Sequence, residues 1–139
     1  MVGDEQKIRS SQMAMKTQSN NLRIYLDDFR AAPTGWTLVR WPEEVIALLK
    51  IQTVDEASLD HDLAEEGPTA RTGYDVLPWI ESQVVVNGFV PPILHAHSSN
   101  SSAKARMQAA IDKINRYAEK NREDGRVWNG SFDLPAPYA

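Results

Sequence analysis

Four short stretches of the chain combine apolar side chains with abrupt polar ends. They cover residues 22–26, 37–40, 56–60 and 92–97. Stretches of this length, rich in Leu, Ile and Val and bounded by Asp, Pro or Gly, are typical of strands. The pattern therefore predicts at least four strands.

Three longer stretches have helical spacing. The first begins at Pro42, which suits the first helical turn, and Glu43 and Glu44 favour the positive helix start. The second spans 73–86 and contains Pro78, so we expect either a kink there or a later start. The third is the clearest, because its apolar residues recur at intervals of three and four, and we expect Ser101 or Ser102 to cap it. Its apolar stripe consists of Ala103, Met107, Ala110, Ile111, Ile114, Tyr117 and Ala118.

Alternation of strands and helices predicts the fold class. Right-handed crossovers between such elements give a parallel sheet with helices on its faces. We therefore expect a three-layer α/β/α sandwich with four to five strands, the fifth being a weak candidate at Val127–Trp128.

The ends of the chain differ from its middle. Residues 1–20 are polar and aperiodic, and we interpret them as a mobile leader. Residues 21–122 hold the alternating pattern and form the predicted domain. Residues 123–139 place Trp128, Phe132 and Tyr138 among Gly and Pro, which predicts an arm packed on the domain.

Composition narrows the possible functions. With 139 residues, 42% of them hydrophobic, the chain has the length and core of one ordinary domain. The net charge of -4 argues against general duplex DNA binding, which needs clustered Lys and Arg. The chain has no cysteine, which excludes disulfides and thiolate metal sites. No apolar run reaches membrane-spanning length, so we expect a cytoplasmic protein that does not contact a membrane.

Acidic residues follow two of the predicted strands. Asp27 and Asp28 come after the first, and Asp60 and Asp62 come at the end of the third. Open α/β sheets bind ligands at the carboxyl ends of their strands, and crowded carboxylates suit a hard divalent cation. These four residues are therefore the predicted metal ligands for Mg²⁺ or Mn²⁺, although strand-end Asp residues also serve as turn formers and helix caps.

Five short motifs follow one another along the chain, within residues 22–118 approximately. The motifs are Leu26-Asp27-Asp28-Phe29-Arg30, Ser58-Leu59-Asp60-His61-Asp62-Leu63, Thr72-Gly73-Tyr74-Asp75, His97-Ser98-Ser99-Asn100 and Arg106-Met107. In this order they resemble the motifs of the cyclic-phosphate-processing receiver domains, a variant of the two-component receiver. The resemblance implies a receiver (flavodoxin-like) topology. It also implies activity on a cyclic phosphate, such as an RNA 2′,3′-cyclic end or a cyclic nucleotide.

The resemblance gives the catalytic candidates their roles. Asp60 occupies the position of the receiver's acceptor Asp. Histidine titrates near neutral pH, so His61 and His97 are the candidates for moving protons, while a structural hydrogen bond is the alternative for His97. A third histidine, His95, shares a strand face with His97, and we expect it to be buried and hydrogen-bonded in the core.

Three further residues are candidates for phosphate binding. Arg30 can fork onto phosphate oxygens, or instead bridge to Asp28 or Glu65. Ser98 and Asn100 precede the long helix, whose first N–H groups attract anions, and capping that helix is their competing role.

The predicted function is thus metal-dependent hydrolysis or other processing of a cyclic phosphate, which favours a phosphodiesterase. The alternatives are a module that binds a cyclic nucleotide without cleaving it and a pseudo-receiver that mediates protein interaction.

Overall fold

The computed structural model describes residues 21–61 and 72–136. The predicted leader at 1–20, most of the predicted loop around 64–72 and the predicted metal ligand Asp62 lie outside these ranges.

The described part of the chain folds around a parallel sheet of four strands in the order β2-β1-β3-β4. This order is the one that flavodoxin-like receivers share, and it confirms the predicted α/β fold class. The strands are β1 (Leu22–Leu26), β2 (Thr37–Val39), β3 (Val54–Asp60) and β4 (Ile93–His97).

Within the described ranges, three α-helices connect and cover the strands: α1 (Pro42–Ile51), α2 (Val76–Asn87) and α3 (Ser101–Glu123). Pro42 is the first residue of α1, as expected. A short 3-10 turn, Gly73–Asp75, precedes α2, so Pro78 lies in the first turn of that helix. An N–H group there has no partner within the helix, which explains why the proline is tolerated and why the later start is the correct alternative.

The hydrophobic core lies on one face of the sheet. Ile24 and Leu26 of β1 and Ala57 and Leu59 of β3 point to that face and are fully buried. All three helices contribute to the same core cluster, including Val45, Ile80, Val84, Met107, Ile111 and Ile114. A second helical layer, which a three-layer sandwich would place on the opposite face, is not among the described residues.

That opposite face carries polar and aromatic side chains instead. The ring of Trp36 meets the rings of Tyr25 and His95 edge-on, with centroids 6.2 and 6.4 Å apart. The prediction that His95 is buried in the core is wrong: its side chain is 47% exposed, and its Nε2 lies 2.8 Å from Glu56. The alternation of β4 assigns His95 to the correct face, but no described helix covers that face.

Residues 124–136 come after α3 and pack against α2 without forming a strand, so the fifth strand predicted at Val127–Trp128 is absent from the described residues. Phe132 stacks on Trp79 at 5.7 Å between ring centroids and meets Phe89 and Trp128 at 5.3 and 5.1 Å. The carbonyl oxygen of Phe132 accepts a hydrogen bond from the buried amide of Gln83 at 2.9 Å.

Gly88 ends α2 where this segment crosses it. Its φ of 73° lies in the left-handed region, and a Cβ there would lie 2.9 Å from the carbonyl oxygen of Val127. Both the backbone conformation and the close approach therefore require glycine.

Across the described ranges, no helix combines the length and the apolar character needed to span a membrane.

Candidate active site at the carboxyl edge of the sheet

Three side chains meet where β1, β3 and β4 end. Asp27 follows β1 directly, Asp60 is the last residue of β3 and His97 is the last residue of β4. Asp60 and His97 are register partners on neighbouring strands. In the strand order 2-1-3-4, the connections diverge between β1 and β3, which is the point where α/β sheets of this type hold ligands.

Asp27, Asp60 and His97 form a compact group of metal-binding type. One ligand atom from each lies within 4.8 Å of the others. Asp27 is 0% exposed and Asp60 is 5% exposed, whereas His97 is half-buried. The site therefore brings two carboxylates out of water next to one imidazole.

Asp27 is held firmly by its own turn. Its Oδ1 accepts hydrogen bonds from the backbone N–H groups of Phe29, at 2.8 Å, and Arg30, at 2.7 Å. Its Oδ2 lies 3.0 Å from Nε2 of His97. Burial alone would raise the pKa of Asp27, but the two backbone donors and His97 outweigh it, and the pKa lies below its usual value. Asp27 is therefore ionised at neutral pH.

His97 reaches from β4 across β3 to Asp27. Its Nδ1 lies 2.7 Å from Oγ of Ser58, and its ring stacks on Tyr25 with centroids 4.3 Å apart and planes 5° from parallel. Burial lowers the pKa of His97 below its usual value, although the neighbouring Asp27 carboxylate opposes the shift. At neutral pH the ring is therefore uncharged, with a partner at each nitrogen.

Asp60 is placed by a close backbone contact. A Cβ on the buried residue Gly73 would lie 1.9 Å from the carbonyl oxygen of Asp60, so only glycine fits there. Thr72 and Asp75 cap this turn reciprocally: Thr72 Oγ1 accepts from Tyr74 N, and Asp75 Oδ2 accepts from Thr72 N. The Thr-Gly-Tyr-Asp segment thus supports the end of β3.

The other acidic and basic candidates lie around this group. Among the described residues, the carboxylate that Arg30 contacts is that of Asp27 rather than Asp28, with Nη1 3.5 Å from Oδ2. Glu65, the other acid considered as its partner, lies outside the described residues. Asp28 is half-buried, and its carbonyl oxygen accepts from Arg40 at 2.6 Å. Within the described ranges the compact metal-type group does not include the Asp28 carboxylate.

The remaining candidates lie at the rim. His61 directly follows β3 and is half-buried. Ser98 Oγ accepts from the backbone N–H of Asn100 at 3.1 Å, and Oδ1 of Asn100 accepts from Ala103 N at 3.1 Å. Asn100 is therefore the N-cap of α3, and the expectation that Ser101 or Ser102 caps the helix is wrong. Ser101 and Ser102 are the first two residues of the helix.

Ser58, Tyr25 and Gly73 contact the group, although the sequence patterns give none of them a role in it. Strand alternation was the available signal for Ser58, since it lies two residues before Asp60 and shares its face. The contact to His97 depends on how far that side chain reaches across the sheet, which periodicity does not reveal.

The donor set fits a divalent metal ion. Two buried carboxylates this close repel each other unless a cation or proton relieves them, and an aspartate with a lowered pKa does not take up a proton readily. Carboxylate oxygens suit Mg²⁺ and Mn²⁺, and an imidazole nitrogen is a common ligand of transition metals.

Comparison with known proteins agrees with the motifs. The family model described as "Cyclic-phosphate processing Receiver domain" matches residues 22–113. This range runs from the start of β1 into α3 and includes every residue of the compact group. No curated protein matches the chain.

Proposed function

The chain belongs to the cyclic-phosphate processing receiver domain family, and we propose that it is a metal-dependent phosphodiesterase that opens a cyclic phosphate at this site. The observation that carries the proposal is the group of Asp27, Asp60 and His97 at the carboxyl edge of the sheet. A protein-interaction domain has no need for two buried carboxylates and an imidazole within 4.8 Å of one another.

The carboxylates of Asp27 and Asp60 are the proposed metal ligands, and Asp28 and Asp62, the acidic residues that follow β1 and β3 in the sequence, complete the proposed set. The cofactor is Mn²⁺ or Mg²⁺; ligation by His97 would favour Mn²⁺, because imidazole binds transition metals better than it binds Mg²⁺. When bound, such an ion polarises a phosphoryl oxygen and neutralises developing charge.

The chain's own residues move the protons. Hydrolysis forms a bond from the water oxygen to phosphorus and breaks one of the two ring P–O bonds, which leaves a monoester. One proton leaves the attacking water and one is given to the departing ribose oxygen, and His61 and His97 are the proposed carriers. A lowered pKa leaves His97 uncharged at neutral pH, and it can accept a proton when the carboxylates alone hold the metal. When Nε2 of His97 also binds the metal, no lone pair is left on the ring, and His61 is the remaining carrier.

Arg30, Ser98 and Asn100 are the proposed phosphate contacts. The Arg30 guanidinium lies at the rim, 3.5 Å from Asp27, and its side chain is 46% exposed, so it can turn toward an anion at the metal. Asn100 caps α3 with its side-chain oxygen, so its amide N–H₂ and the N–H groups of Ser101 and Ser102 at the start of the helix are the donors that we propose for an anion.

The substrate class that this chemistry favours is a cyclic nucleotide or a 2′,3′-cyclic RNA end. Phosphorus NMR of the full chain with 2′,3′-cyclic AMP distinguishes the possible outcomes. We expect slow conversion to a single monoester in Mn²⁺, none in EDTA, and a loss of at least 100-fold in Asp60→Asn and His97→Ala.

Glu56→Gln is the matched control, because Glu56 is a carboxylate on the same strand that pairs with His95 and Arg23 away from the group. It should retain full activity. Metal-dependent binding of the nucleotide without any conversion would replace the enzyme proposal with a sequestering module. Conversion that survives Asp60→Asn would overturn the assignment of the site.

A further inference from the structure

Both ring nitrogens of His97 have polar partners of different kinds. Nε2 faces the carboxylate of Asp27 at 3.0 Å, and Nδ1 faces the hydroxyl of Ser58 at 2.7 Å. Ser58 is 8% exposed, so bulk water does not readily take its place. The ring is therefore fixed by one partner that only accepts and one that can both donate and accept.

The chemistry of these partners determines the tautomer. A neutral imidazole has one N–H donor and one lone pair. Because an ionised carboxylate cannot donate, Nε2 carries the proton toward Asp27, and Nδ1 accepts from the Ser58 hydroxyl. In this arrangement Nε2 has no lone pair to offer.

A cation held by Asp27 and Asp60 reverses that requirement. Nε2 of His97 lies 3.0 Å from Oδ2 of Asp27, and one ring nitrogen lies within 4.8 Å of a carboxylate oxygen of both Asp27 and Asp60. An N–H pointed at a cation is repelled, so the proton belongs on Nδ1 and the lone pair on Nε2. Nδ1–H then donates to Ser58 Oγ, which serves as acceptor without moving.

We propose that Ser58 is a positioning residue for the metal site. Without metal, its hydroxyl donates to Nδ1 of His97 while Nε2–H donates to Asp27. With metal, the hydroxyl accepts from Nδ1–H while the lone pair of Nε2 faces the cation. The inference rests on the metal proposed above. The ring of Tyr25 stacks 4.3 Å from the imidazole of His97 and keeps the imidazole plane fixed. The proton can therefore move from Nε2 to Nδ1 without a rotation of the ring.

Replacing the hydroxyl separates the two states. In Ser58→Ala, Nδ1 loses its partner in both states, but Nε2–H still bonds to Asp27 without metal. The metal-bound tautomer loses the Nδ1–H acceptor that orients the ring and raises its basicity toward the metal. We expect Zn²⁺ or Mn²⁺ to bind Ser58→Ala roughly 10- to 100-fold more weakly, the range typical of lost outer-shell partners. Ser58→Thr keeps a hydroxyl and suits a strand, so it should restore most of the affinity.

Nitrogen-15 NMR of the ring nitrogens gives a readout that does not depend on activity. The chain has three histidines, so His61→Gln and His95→Gln assign the signals of His97. In the full wild-type chain at pH 7.5, we expect the Nε2–H tautomer in EDTA and the Nδ1–H tautomer in saturating Zn²⁺.

Two results would overturn the inference. One is retention of the Nε2–H tautomer by wild-type His97 with Zn²⁺ bound, which decides the matter even if Ser58→Ala does not fold. The other is equal metal affinity of folded Ser58→Ala and wild type.

Failure of this inference and failure of the proposed function look different. If Ser58→Ala binds metal like wild type while wild type hydrolyses the cyclic nucleotide, only the role of Ser58 is lost. If wild type shows the tautomer change but no turnover of cyclic phosphates, the role of Ser58 stands and the proposed reaction fails.

Discussion

Asp27 is the residue on which the site is built. Its two backbone hydrogen bonds use one carboxylate oxygen and leave the other facing His97 and Arg30. Asp60 lies on the adjacent strand, with its backbone against Gly73. Each side chain of the site is thus positioned by a specific local contact, and the contacts predict what individual substitutions do.

The first residue-scale prediction concerns pH. Because the folded pKa of His97 lies below the ordinary value of 6.5, the unfolded chain binds more protons between those two values. The free energy of unfolding of the metal-free protein should therefore be highest above pH 7 and fall as the pH drops through that window. Urea unfolding in EDTA at several pH values measures this slope.

The matched comparison removes the imidazole of His97. His97→Gln should flatten the slope below pH 7, because glutamine takes up no proton in either state. Equal slopes in wild type and His97→Gln would contradict the assigned state of His97.

Gly73→Ala tests the close contact behind Asp60. A Cβ at 1.9 Å from the Asp60 carbonyl oxygen must displace the end of β3 or the turn before α2. We expect a loss of about 1–3 kcal/mol in the free energy of unfolding, as for other overpacked positions, together with weaker metal binding. Calorimetry of unfolding and of Mn²⁺ binding measures both.

Gly130→Ala is the control for strain alone. Gly130 has a φ of 82° and no neighbouring atom within 4 Å of the position of a Cβ. Gly130→Ala should therefore lower the free energy of unfolding by about 1–2 kcal/mol, through backbone strain alone, and leave metal binding unchanged. Normal metal affinity in Gly73→Ala would show that the contact does not position Asp60.

At the scale of elements, hydrophobic periodicity predicts most of the architecture. Alternation and helical spacing identify the four strands and three α-helices of the described residues, and strand ends identify where Asp27, Asp60 and His97 lie close together. Periodicity does not decide between neighbouring caps, and the structure shows that Asn100, rather than Ser101 or Ser102, caps α3. It also does not reveal which face of the sheet is covered by helices, which is why the prediction of a buried His95 is wrong.

The segment after α3 contributes through its aromatic rings. Phe132 contacts Trp79, Phe89 and Trp128, so Phe132→Ala should lower the free energy of unfolding by about 1–3 kcal/mol. Urea unfolding measures the change, and metal affinity should stay the same because none of these contacts includes a site residue. Val127→Ala, at a side chain that is 80% exposed, is the neighbouring control and should stay within about 0.5 kcal/mol of wild type. Equal destabilisation by the two substitutions would exclude specific packing of Phe132.

At the scale of the whole molecule, fold and site depend on one topological fact. The strand order 2-1-3-4 puts β1 beside β3, and only then do the acidic residues after these two strands meet. Motif order and the alternation of elements make that adjacency predictable. The crossing of His97 over Ser58 to reach Asp27 is not predictable in the same way, because it depends on side-chain reach and burial.

The central claim is that one site holds a divalent cation and a cyclic phosphate together. The most direct measurement is the broadening of the phosphorus NMR line of 2′,3′-cyclic AMP by Mn²⁺ in the presence of the protein. We predict strong broadening only when protein, Mn²⁺ and nucleotide are all present, its loss in Asp60→Asn and its retention in Glu56→Gln. Broadening of equal size in wild type and Asp60→Asn would contradict this claim.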